Sequence, residues 1–169
     1  MSTRIRRVTT CALFAAIALT IWVVESLLPP LTPIPGIKPG LANIVTVFTV
    51  FYMGAPYAAG VLAVRLVLGA LLTGQVSALL YGGPAGVAAL LAVVLLRRPL
   101  KEDLMWAASA VSAVVHNSVQ ILIAWAVTRT SAILVYWPLL VIAGIVAGSF
   151  TGFCAGFALK ALRKAERRG

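Results

Sequence analysis

Read from its amino terminus, the chain alternates long apolar runs with short polar or proline-rich breaks. Breakers and charges divide it into six apolar segments, at Thr10–Leu28, Leu41–Met53, Pro56–Leu72, Val76–Leu96, Leu104–Val127 and Pro138–Leu162. A helix of about 20 mostly apolar residues crosses a bilayer, and five of the segments approach or exceed that length. The pattern predicts an all-α integral membrane protein of six transmembrane helices, with residues 1–169 forming a single membrane domain. The second segment is short for a full crossing unless Lys38 to Gly40 belong to it. Pro29, Pro30, Pro33, Pro35 and Pro39 make the first connection irregular, since proline lacks the helix donor and clashes with the preceding turn. Gly54-Ala55-Pro56 predicts a tight turn. Gly82-Gly83-Pro84 predicts a break in the fourth segment that leaves backbone groups free to meet a ligand.

Composition agrees with the pattern. Hydrophobic residues make up 62% of the chain and charged ones 11%, with a mean hydropathy of +1.04, more apolar side chain than a soluble surface carries. The arginines Arg4, Arg6 and Arg7 ahead of an apolar run imitate a secretory leader. That run reaches Leu28, carries Glu25 and lacks a small-x-small cleavage site, so it reads as a retained first helix.

Charge then orients the bundle. Arg4, Arg6, Arg7, Arg97, Arg98, Lys101, Lys160, Arg163, Lys164, Arg167 and Arg168 lie on one side, against Lys38 and Arg129 on the other, eleven to two. The positive-inside rule places both termini in the cytoplasm, with the chain in the cell membrane. The net charge of +10 sits at helix ends rather than along one face, which argues against a nucleic-acid partner. Cys11 and Cys154 fall inside apolar stretches and read as free thiols packing as small hydrophobes.

Polar residues within the segments are not spread evenly. Glu25, Lys38, Asn43, Arg65, Gln75, Ser77, Tyr81, His116, Asn117 and Gln120 all fall at mid-membrane or toward the outside, and the cytoplasmic halves are almost purely apolar. Buried polar groups in a membrane face the bundle interior or a cavity, so this asymmetry points to an outward-facing pocket. His116 and Gln120, four apart, share a helix face, with Asn117 about 100° round from His116. Each residue also has a plainer role open to it. Arg65 either pairs with Glu25 or meets a ligand, and His116 either bonds a neighbouring helix or lines the pocket. Lys38 fits a snorkelling interfacial lysine and Tyr81 an interfacial aromatic as well as they fit a binding site. Lys38, Arg65 and His116 against Glu25 favour a phosphate or carboxylate on the substrate. Gly144, Gly148, Gly152 and Gly156 form an every-fourth-residue ridge suited to internal helix packing, and Ala12 and Ala16 form a shorter one on the first helix. A lone histidine and two cysteines supply no metal ligand set, no nucleotide-binding loop is present, and inverted repeats typical of secondary transporters are not evident.

The run Pro35-Gly36-Ile37-Lys38-Pro39-Gly40-Leu41-Ala42-Asn43-Ile44 resembles the signature that follows the first helix in the Gx transporter family, whose members are often labelled heptaprenyl diphosphate synthase component I. Arg65 with Leu68-Gly69-Ala70-Leu71, Ser77 with Gly82-Gly83, and His116-Asn117 with Gln120 extend the similarity over the first five helices; Pro39 stands where the family more often has leucine. That family in turn resembles the substrate-binding S components of energy-coupling factor (ECF) importers. The resemblance implies an S-component-like bundle with an outward pocket under the first connection. Lys38, Asn43, Arg65, His116, Asn117 and Gln120 would serve that pocket. Ala12 and Ala16 would touch a transmembrane coupling subunit driven by two ATPase subunits.

The expected function is capture of a small vitamin-like or metabolite substrate, with no cofactor or metal and with only lipid, substrate and the coupling module as partners. The family label raises a second reading, a membrane accessory subunit in heptaprenyl diphosphate synthesis. Prenyl transfer by this chain itself is not expected, because aspartate-rich magnesium motifs are missing and Asp103 is the sole aspartate. A stand-alone secondary transporter is the third reading.

Overall fold

The computed structural model describes residues 3–27, 29, 40–74 and 76–167. It is all-helical over those residues: α1 (Thr3–Leu27), α2 (Asn43–Tyr52), α3 (Ala55–Thr73), α4 (Val76–Leu100), α5 (Met105–Thr128), a short 3-10 turn (Ser131–Tyr136) and α6 (Trp137–Glu166). Five of these are long and apolar enough to cross a membrane, so the chain is a multi-pass membrane protein. The exception is α2. Its ten residues rise only about 15 Å, roughly half a hydrocarbon core.

That short helix is the centre of the bundle. It packs against all five other helices, while α1, α3, α4, α5 and α6 follow one another around it, each touching the next. Asn43, Val45, Thr46, Val47, Thr49, Val50 and Phe51 are all buried, as expected of a helix apolar on every side.

Contacts between helix ends fix the up-and-down order. Arg6 at the start of α1 pairs with Glu166 at the end of α6 at 3.5 Å, and the Tyr52 hydroxyl at the end of α2 donates to the same carboxylate at 2.7 Å. Arg7 reaches Tyr57 at the start of α3 (3.2 Å), and Arg163 pairs with Glu102 just ahead of α5. The start of α1 and the end of α6 therefore lie on one face, with Arg6, Arg7 and Arg163 among the basic residues there. Next to that face the bundle interior is a dry plug of Val47, Val50, Phe51, Leu62, Val93, Met105, Ala108 and Leu159.

Three expectations change in detail. Helix α1 begins at Thr3, so the arginine-rich start is helical rather than a polar lead-in. The predicted break at Gly82-Gly83-Pro84 is absent: α4 runs unbroken through Pro84. Neighbouring helices support a proline inside a membrane helix; Gly82 packs against Trp22 and Gln120, and Gly83 has open space around it. Cys154 is exposed on the outer face of α6 rather than packed, whereas Cys11 lies half-buried with its sulfur 3.9 Å from that of Met53; both are free.

The glycine ridge on α6 packs inward against α5. A Cβ on Gly148 would stand 2.7 Å from the Ala110 Cα, and one on Gly152 would stand 2.5 Å from the Trp106 Cα, so only glycine permits this approach. Gly156 has open space around it and contributes nothing to that seam.

Candidate functional site

Above the apolar plug, one side chain after another turns polar. Arg65 sits ten residues into α3 and His116 eleven into α5, about 15 Å along each helix from the basic face. Ser112, His116 and Gln120, at four-residue spacing, form one buried face of α5. Trp22 and Glu25 occupy the inward face of α1 near its far end, and Asn43 opens α2.

Backbone geometry draws these groups together. Gly40 has φ +80, in the left-handed region that glycine alone enters freely, and a Cβ there would lie 3.2 Å from the His116 ring. In that conformation its N–H, and that of Leu41 at 3.0 Å, both donate to Oε1 of Glu25. One carboxylate oxygen thus holds the chain entering α2 against α1. Gly69, four residues after Arg65, leaves room for the Trp22 indole, since a Cβ would fall 2.7 Å from its Nε1. Gly82 lies against both Trp22 and Gln120, and Gly86 lies 3.8 Å from the Arg65 guanidinium measured from a Cβ position. Of the two glycines read from sequence as a helix break, Gly82 lines the cluster in van der Waals contact, while Gly83 has open space around it.

Arg65 is 1% exposed, and its guanidinium lies over the Trp22 ring with 5.6 Å to the centroid. A cation on an indole face in a desolvated site gains about 2 kcal/mol, far less than a buried charge loses on leaving water. The charges of Glu25 and Arg65 attract one another, but among the described residues no ion pair within 4.0 Å joins them. Nε and Nη2 of Arg65 find no acceptor among those residues, and Oε2 of Glu25 finds no donor. Oδ1 of Asn43, Oε1 of Gln120 and the hydroxyl of Thr46 stand likewise without partners there, as does Oδ1 of Asn117 on the α6 side of α5. Buried polar groups are nearly always satisfied, so such a concentration of unpartnered atoms at one place marks the cluster as a candidate binding site.

The residues singled out by sequence do not all converge. Glu25, Asn43, Arg65, His116 and Gln120 do. Asn117 turns to the other side of α5, where its Nδ2 donates to the Leu140 carbonyl on α6 at 2.7 Å beside Gly144. Tyr81 packs with Ile121, Ala124, Ile133 and Leu140 in an apolar cluster between α4, α5 and α6. Lys38 and Gln75 lie outside the described residues. Trp22 and Ser112 join the site although sequence did not mark them. Trp22 stands three residues before Glu25, one helical turn away, and that spacing was the available signal. Among the described residues no three His, Cys, Asp or Glu side chains are placed to hold a metal ion.

Ala12 and Ala16 are elsewhere. Both are exposed on α1, toward the basic face, where they line an apolar groove of about 540 Å³ with Gly60, Val64 and Leu68 of α3. Comparison with known proteins found no matching curated protein and no matching solved structure. A family described as heptaprenyl diphosphate synthase component I matches residues 14–158, a stretch that holds every residue of the polar cluster and most of the bundle. The chain belongs to that family.

Proposed function

We propose that this protein is the substrate-binding membrane subunit of an ECF-type importer, taking a small vitamin-like or metabolite molecule from outside the cell. The observation that carries the reading is the set of unpartnered polar atoms gathered around Arg65 deep in the bundle, with an apolar plug beneath it. A site closed on one side by packed Val, Leu and Phe and lined with polar groups above is built to hold a molecule, not to pass one through. In this reading the basic face is cytoplasmic, the membrane is the cell membrane, and the cluster opens outward. The groove at Ala12 and Ala16 seats the coupling subunit, and ATP is consumed by that subunit's two ATPases.

The family description supports a second reading, an accessory subunit beside a separate prenyl diphosphate synthase. Catalysis by the chain itself gains no support from its carboxylates. Asp103 pairs with Lys160 at 3.4 Å and Glu102 with Arg163, so the acidic pair ties α6 to the end of α4.

A capture subunit cannot complete a transport cycle without its module. Purified protein in liposomes is therefore expected to give no flux of the solute it binds. Robust flux by the isolated chain would replace this reading with a stand-alone secondary transporter.

A further inference from the structure

The orphaned atoms define what would satisfy them, and the inference that follows rests on taking the cluster as a substrate site. Two of them are oriented by hydrogen-bond logic. Asn43 faces the Ser112 hydroxyl at 2.9 Å, and that hydroxyl gives its only hydrogen to the Ala89 carbonyl at 3.1 Å. Ser112 can then only accept, so the Asn43 amide must present its nitrogen to Ser112 and its carbonyl oxygen to the site. Oε1 of Glu25 is already occupied by two backbone N–H groups, which leaves Oε2 as the free acceptor. The Gln120 amide beside them can turn its oxygen to the same donors as a third acceptor.

Arg65 supplies the opposite demand. The nitrogens without acceptors, Nε and Nη2, are the two that share one edge of the guanidinium, the edge that receives two oxygens of a carboxylate or phosphate side by side. Trp22 covers its face, so this edge is the part left for a ligand. Among the described residues Arg65 and Glu25 are the buried charged side chains beside His116, one of each sign, so the site offers a cation to one end of a ligand and an anion to the other.

We propose that the ligand is a small amphoteric molecule, with one anionic oxygen group on the edge of Arg65 and a cationic or donor-rich nitrogen group on Glu25, Asn43 and Gln120. The test uses the purified full-length chain in nanodiscs. A small-molecule extract of the producing cells is split by ion exchange into anionic, cationic, amphoteric and neutral fractions. Each is scored for a raised unfolding temperature and an added mass by native mass spectrometry. The amphoteric fraction alone is expected to give both. The molecule it yields is expected to bind Glu25→Gln more weakly by on the order of 10- to 100-fold, the value of one charge-assisted hydrogen bond. Activity in any other fraction, or undiminished binding to Glu25→Gln, overturns the amphoteric ligand and leaves the substrate-site reading standing. If all four fractions leave the protein unchanged, the substrate-site reading falls and this inference with it.

Discussion

Arg65 carries the energetic tension of the molecule. A guanidinium this deep is expensive, and an ion pair normally offsets the expense; here no carboxylate among the described residues lies within 4.0 Å, and one oxygen of Glu25 is held by the backbone of Gly40 and Leu41. Removing the charge while keeping the bulk should therefore do little harm to the ligand-free fold. Arg65→Met is expected to change unfolding stability in detergent by no more than about 1 kcal/mol. A loss above about 3 kcal/mol, the cost of breaking a buried pair, would assign Arg65 a structural partnership with Glu25 instead. Sequence identified Arg65, Glu25, Asn43, His116 and Gln120 by depth alone, because ionisable and amide groups inside an apolar run are rare enough to stand out. It left Glu25's role open, since the backbone donors that occupy it depend on the left-handed conformation of Gly40. Asn117 illustrates the limit of helical wheels: one residue from His116, it sits far enough round α5 to bond α6 instead.

At the scale of elements, apolar period and breakers placed all six helices within a few residues, with α1 the exception at its start. What the pattern misread was Gly82-Gly83-Pro84. A Gly-Gly-Pro run that ends a helix in water continues one in a bundle, where neighbours support it; here Trp22 and Gln120 pack against Gly82. The short α2 likewise reads as a deficient span, yet its shortness is what sets Gly40 and Asn43 at the depth of Arg65. The α1–α3 groove supplies the prediction at this scale. Ala12→Leu with Ala16→Leu fills an exposed surface and touches none of the cluster. The double variant is expected to retain its ligand and lose uptake in cells; loss of ligand binding as well would remove the groove from the coupling role.

The whole molecule is polar along its axis: arginines and lysines at one face, a dry plug next to it, and a polar cluster beyond the plug. That gradient was legible from sequence because charge and hydropathy are properties of position along the chain. The meeting of five separate segments around Arg65 was legible only in outline, since it depends on which face each helix turns to α2. The proposed role of the cluster is to bind a small molecule. Native mass spectrometry of protein extracted in mild detergent tests it directly. Wild type should carry one small molecule of discrete mass, and Arg65→Met purified in the same way should carry none. A bare wild-type mass, or the same adduct on both proteins, would rule out a binding site at Arg65.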